Sequence, residues 1–237
     1  MNYFNFHRFL EQALRMEFQV YEECKNQHLS MVKTYGELAR VSLFQGKSHD
    51  AYENVNKGLE MVQEILPQSL SHARLLYIKG EIDLKNDMEN AEKVFNEALE
   101  MYKLNLGQES GHPGIPLIQI SLASIFLQKE DLIKAMETIN ESLFLFKQIY
   151  GLIRHPNQAH SLEIQGMIFA KQGKFDLAKE SFEAALEILY DVFGDQNDHV
   201  SIVRMKYSLN NLQKDVKAKK YPKLKLKEMP HALIHSK

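Results

Sequence analysis

One spacing governs this chain. Small residues recur at Ala51, Ala91, Ala135 and Ala178, in steps of 40, 44 and 43 residues. Gly107, Gly151 and Gly194 recur in steps of 44 and 43, and the dipeptides His112-Pro113 and His155-Pro156 lie 43 apart. Glycine just past a helix accepts the backbone turn that satisfies the last carbonyls, and proline suits a first helical turn, where its missing N–H is not needed. Three markers of different chemistry on one period predict a single supersecondary unit used four times. Such a unit cannot bury its apolar face alone, so its copies stack.

The clearest copy is His155 to Gly194, HPNQAHSLEIQGMIFAKQGKFDLAKESFEAALEILYDVFG. Leu162, Gly166 and Phe169 share one helical face, a turn falls at Gly173-Lys174, and Ala178, Phe182, Ala185 and Leu186 resume at helical spacing. That order predicts two antiparallel helices with small residues where they cross. Copies are expected at about 30–67, 69–107, 112–151 and 155–194. The first carries Tyr35, Leu38 and Ala39, a Gly46-Lys47 turn, then Ala51, Val55, Gly58 and Leu59, and Pro67 ends it. The third carries Leu122, Ala123, Phe126, Ala135, Ile139, Ser142 and Leu143. In the second, Ala91, Phe95, Ala98 and Leu99 fit, but Gly80 lies 11 before Ala91, whereas Gly166 lies 12 before Ala178. Either the turn is one residue shorter or Lys79 holds the small position. Residues 1–29 read as one helix, a cap or half repeat, and 199–216 as a capping helix with Ile202, Met205, Leu209 and Leu212 on one face. A basic, flexible tail is expected over 217–237.

This pattern, with its L-G-x-x-Y…A-x-x-x-F type of core, resembles the tetratricopeptide repeat (TPR). The long period, the His-Pro openings and the GKF…A…F…AL run are similar to the repeats of kinesin light chains, over roughly residues 30–215. The resemblance implies an all-α, right-handed TPR-like α-solenoid of antiparallel helix pairs. It also implies a non-catalytic adaptor whose stacked first helices line a concave surface that holds extended or helical peptides. By register the lining positions are Lys33, Gly36 and Arg40 in the first repeat and Leu117, Ile120, Ser124 and Leu127 in the third. The fourth contributes His160, Glu163 and Met167, and the second is left open with its register. The Lys/Asn/Arg constellation with which chaperone-binding TPRs clamp a terminal carboxylate is missing from this lining, which argues against a co-chaperone role.

The remaining sequence supports a binding protein over an enzyme. Glycine-rich phosphate loops, a nucleophile elbow and a zinc-protease helix are all absent, so no catalytic residue, cofactor or metal is assigned. His231 and His235 are four apart but have no acidic or cysteine neighbour, and Cys24 is the sole cysteine, so no intrachain disulfide framework exists. The opening residues show no secretory h-region, and no apolar run approaches the roughly 18 residues of a membrane span. An intracellular, cytoplasmic protein is expected. Formal charge is −2, yet Lys214 to Lys237 holds +6 and the remainder −8. The tail reads first as a plain solvated end and next as a nuclear-import or acidic-partner segment, and nucleic-acid contact is disfavoured by the acidic body. The partner expected is a protein. Two rival classes stay open: a structural subunit buried in a larger complex or homo-oligomer, and a function carried by the tail.

One helix poses a question of its own. LIQISLASIFL in the third repeat is apolar nearly all round, because Leu117, Ile120 and Leu127 sit opposite Leu122 and Phe126. A helix of this kind has to be covered on every side. Either an occupant fills the groove there (a partner, the chain's own terminus or a second copy), or the long second helices close it.

Overall fold

The computed structural model describes residues 3–22, 28–107, 111–194 and 199–218. They form ten helices: α1 Tyr3–Glu22, α2 Leu29–Phe44, α3 Ser48–Ile65, α4 Leu70–Asp83, α5 Met88–Leu106, α6 Gly114–Gln128, α7 Leu132–Tyr150, α8 Pro156–Lys171, α9 Phe175–Phe193 and α10 Val200–Ala218. No strand occurs among the described residues. α2/α3, α4/α5, α6/α7 and α8/α9 are pairs joined by tight turns, and their members pack along their lengths. α1 is described as far as Glu22, residues 23–27 of the segment read from the sequence as one helix lie outside the described residues, and His28 caps α2.

The first helix of each pair and α10 start on one device. The Nδ1 atoms of His28, His112, His155 and His199 accept the backbone N–H of Ser30, Gly114, Asn157 and Ser201, and Ser69 Oγ accepts that of His72. A side-chain acceptor at this position satisfies an amide that the helix itself leaves unpaired. At α8 the cap is reciprocal, because the Gln158 side chain accepts the His155 N–H at 2.8 Å. Eleven residues after the capping residue, α2, α4, α6 and α8 carry Ala39, Gly80, Ala123 and Gly166.

That common count settles the second repeat. A Cβ on Gly80 would stand 2.6 Å from Phe95 Cε1, and one on Gly166 would stand 2.7 Å from Phe182 Cε1. Both glycines are the hole into which a phenylalanine of the second helix fits, so Gly80 holds the small position and Lys79 does not. The turn absorbs the missing residue. After α2, α6 and α8 a backbone N–H reaches back five residues (Lys47 to Ser42, Asp131 to Phe126, Lys174 to Phe169), with positive φ at Gly46, Glu130 and Gly173. After α4 the corresponding bond runs only four residues, from Asp87 N–H to the Asp83 carbonyl at 2.7 Å.

The chain divides into two compact units, one through Ser110 and one from Gly111. The first is centred on Val32, Ala39, Ala51, Val55, Val62, Leu75, Ile78 and Ile82, from α2, α3 and α4. The second is centred on Ile120, Leu127, Ile139, Phe146, Ile164, Ile168, Phe182 and Leu189 of α6 to α9, and it extends to Ile202, Met205 and Leu212 of α10. Fully burying one such side chain contributes about 1.5–3 kcal/mol, so each unit has an ample apolar core of its own.

Candidate functional site

The cap-to-glycine count also fixes which residues of each first helix share the lining face. They lie six and three residues before the small position and one after it. In α2 these are Lys33, Gly36 and Arg40, and in α4, now in register, they are Arg74, Tyr77 and Glu81. In α6 they are Leu117, Ile120 and Ser124, with Leu127 one turn on, and in α8 they are His160, Glu163 and Met167.

The lining of the first unit is polar, and Lys33, Arg40 and Arg74 are its open members. Arg40 Nη1 donates to Glu37 Oε2 at 3.4 Å, and Arg74 Nη2 donates to Glu37 Oε1 across from α4. The arginine side chains keep 41% and 49% of their surface exposed while the shared carboxylate keeps 28%. Lys33 is exposed, and its ammonium has no partner among the described residues. Tyr77 donates its hydroxyl to Glu81 Oε1 at 2.7 Å. Burial pushes the Glu81 carboxyl above the usual carboxylate range, while the Tyr77 hydrogen bond and the Arg40 charge pull the other way. Gly36 belongs to packing, because a Cβ there would meet Leu75 Cδ2 at 3.2 Å.

The second unit departs from the sequence expectation. Ile120 is 3% exposed, Leu127 1%, Met167 5% and Glu163 1%, so these four are interior and present nothing to a partner in this conformation. The reason is the next repeat. Ile120 and Leu127 share a buried cluster with Ile164, Met167 and Ile168 of α8, which packs directly on α6. The chain therefore covers this face of its all-apolar helix by itself. Ser124 turns its hydroxyl to the Ile120 carbonyl at 2.9 Å, and Leu117 is half-buried against the same cluster.

Glu163 is closed off by α10. Its Oε2 accepts from Arg204 Nη2 at 2.6 Å, while Glu163 Oε1 and Arg204 Nε have no hydrogen-bond partner. Burial raises the Glu163 carboxyl pKa, and Arg204, by charge and hydrogen bond, opposes the rise. His160 keeps a partly exposed edge, but its imidazole is enclosed; that burial, with Arg204 nearby, pushes its pKa down to about 3. A buried carboxylate thus pairs with a partly exposed guanidinium, and the His160 imidazole feels the charge of the same arginine.

Sequence reasoning missed Arg74, Tyr77, Glu81, Glu37 and Arg204. The first three were legible from Ser69, since the count from cap to glycine needs no knowledge of the turn. Arg204 left no local signal, because its partner lies 41 residues earlier. Cys24, His231, His235 and residues 219–237 of the basic tail lie outside the described residues. No helix among the described residues is long and apolar enough to cross a membrane, and no group of three or more metal-ligating side chains occurs among them.

Residues 159–188, spanning most of α8 and α9, match the family model described as tetratricopeptide repeat. That segment is similar to a tetratricopeptide repeat. The matched TPR segment includes the Gly166–Phe182 contact, the turn at Gly173 and the small residues Ala178 and Ala185. Similar solved structures are TPR-like as well. The crystal structure of BtubC (BKLC) from P. vanneervenii aligns over 92% of this chain and 85% of that one, with a TM-score of 0.72 and 17% identity. Two crystal structures of a putative kinesin light chain with nearly identical TPR-like repeats, from Podosopora anserina, align over 81% of this chain and 90% of theirs. Their TM-scores are 0.62, at 15% identity for the form carrying a point substitution and 16% for the other. At these identities the likeness is one of fold, an all-α TPR-like solenoid. No curated protein sequence matches the chain.

Proposed function

We propose that this chain is a non-catalytic protein-interaction module of the cytoplasm, and that it grips a partner segment with the first-helix lining of its first unit. Lys33, Arg40, Arg74, Tyr77 and Glu81 make the contact. The observation that carries this reading is the open pair of arginines sharing one half-exposed carboxylate, Glu37, beside an uncompensated Lys33. Arginine forks oriented in this way match carboxylate acceptors, and a positive excess favours an acidic segment. Glu81, held by Tyr77, offers an acceptor to the backbone N–H groups of that segment. The helices are rigid before binding, so little is spent on ordering the receptor. Within the second unit, His160, Glu163 and Met167 serve stability.

Selection of binders from a displayed peptide library, followed by fluorescence titration of the winners, tests this. Peptides enriched in Asp and Glu are expected. Their affinity should fall at least tenfold in Arg40→Glu and in Arg74→Glu, with helicity unchanged. Winners that bind both variants as well as the parent protein would refute the assignment.

A further inference from the structure

A second polar feature lies in the first unit, away from the lining. α1 packs on α2, and between α1 and the α2–α3 turn is a cavity of about 560 Å³ lined by His7, Arg8, Glu11, Gln12, Arg15, Gln45 and Lys47. Arg8 and Arg15 are exposed and seven residues apart on α1, so they project from one side of the helix two turns from each other. Lys47 reaches the cavity from the turn. None of these three cations has an acidic partner among the described residues.

The one acid on the wall, Glu11, faces His7 at 3.8 Å, and the other ring nitrogen of that histidine lies 3.5 Å from Ser42 Oγ. With His7 neutral the wall carries a formal +2. Lys47 is also the residue at the N-cap of α3, where no side chain caps the helix. The positive end of that helix therefore adds to the field at the cavity's edge. Three cations held around one recess repel each other unless an anion sits among them. The contrast with the lining is direct: there Glu37 pairs with both Arg40 and Arg74, whereas here the wall's carboxylate, Glu11, faces His7 and pairs with neither arginine.

We propose that this cavity is a binding site for a phosphate group carried on a hydrogen-bonding molecule. Arg8 and Arg15 present planar N–H forks that match phosphate oxygens, and Lys47 supplies a point charge from the opposite wall. The volume exceeds what a bare phosphate fills. Glu11, Gln12 and Gln45 line the rest with side chains able to engage hydroxyl or amide groups of the carrier. Two carriers share this chemistry, a phosphorylated side chain of a partner protein and a small sugar phosphate. The site is independent of the acidic-segment lining.

Calorimetric titration of the full chain with three probes decides the matter: a phosphoserine peptide, its unphosphorylated form, and ribose 5-phosphate. At least one phosphorylated probe should bind with a Kd below about 1 mM at low salt, on the order of tenfold weaker in about 0.3 M salt, and the unphosphorylated peptide should not bind. Tighter binding of the phosphopeptide assigns a phosphorylated partner, and tighter binding of the sugar phosphate assigns a small metabolite. Affinity should drop at least tenfold in Arg8→Gln/Arg15→Gln and again in Lys47→Gln, while Arg40→Gln/Arg74→Gln leaves it unchanged. All these positions are exposed or half-exposed, so the variants keep their helicity. The proposal is overturned if neither phosphorylated probe binds, or if the Arg8/Arg15 variant binds as well as the parent. Loss of binding in the Arg40/Arg74 variant alone would overturn it too, by moving the phosphate to the lining.

Discussion

The two units place an arginine–glutamate pair at the first-helix lining and treat it in opposite ways. In the first, Arg40 and Arg74 share Glu37 at a surface where all three side chains stay wet. In the second, Arg204 meets Glu163 with 24% and 2% of their side chains exposed, and one polar atom of each partner is left without a hydrogen bond. The same chemistry is open ground for a ligand in one case and a latch in the other. What separates them is coverage: Glu163 is shut in beneath the side chain of Arg204 from α10, while the arginines of α2 and α4 remain accessible. A position taken from a repeat register thus says which face a residue shares. It does not say whether that face is free.

The largest test strikes the latch. Arg204→Ala strands a buried carboxylate, which should destabilise the second unit by about 3 kcal/mol. Glu37→Ala, the matching cut in the first unit, should cost less than about 1 kcal/mol, because exposed pairs contribute little. Chemical denaturation of each variant gives both numbers. Equal losses would mean that the contrast in burial has no energetic consequence. Loss in the Glu37 variant alone would invert it.

The next effect is on packing, and here the units should agree. Gly80→Ala and Gly166→Ala each drive a Cβ to within 2.6 and 2.7 Å of a buried phenylalanine ring. Both should lose roughly 1–3 kcal/mol, as overpacked cores do. A neutral Gly80→Ala, measured by thermal unfolding, would return Lys79 to the small position and undo the register on which Arg74, Tyr77 and Glu81 depend.

A pH titration sharpens the comparison further. His160, with a folded pKa of about 3 against an ordinary 6.5, binds its proton more readily when unfolded. Its contribution to stability is therefore complete above pH 6.5 and is lost as pH falls from there toward 3. Glu163, raised by burial, works the other way, because the folded state holds its proton longer. His160→Gln separates the two. The variant should lose less stability than the parent protein between about pH 6.5 and 4, with Glu163 and Arg204 still in place. Parallel curves would show that the ring is solvated in the folded state.

How much of this was legible in the sequence follows from the range of each interaction. The helix pairs, their caps and the fold are set by residues within one period, and Ala178, Gly194 and His155 announce them. The second repeat stays open because its turn is one residue shorter than the others, so counting back from Ala91 leaves two choices where counting from Ser69 leaves one. Ile120, Leu127, Met167 and Glu163 read as lining from the sequence, yet the residues that cover them belong to a neighbouring repeat or to α10. Amphipathic patterning records that a face is apolar and is silent on which neighbour covers it.

The smallest effect probes a turn. Glu130 occupies the place that Gly46 and Gly173 hold in their repeats, with φ at 63°, a left-handed value that side chains with a Cβ adopt at a cost. Its carboxylate pairs with Lys171 at 3.1 Å, so replacing it changes two things at once. Comparing Glu130→Gly with Glu130→Ala removes the ion pair from both and leaves the backbone term alone. Glycine relieves the strain and alanine keeps it, so the glycine variant should be the more stable by about 1 kcal/mol. The opposite entropic effect, glycine's greater freedom in the unfolded chain, trims that difference without reversing it. Equal stabilities in denaturant titration would mean that the α6–α7 turn closes without a left-handed residue. It would then resemble the shortened turn after α4 rather than those after α2 and α8.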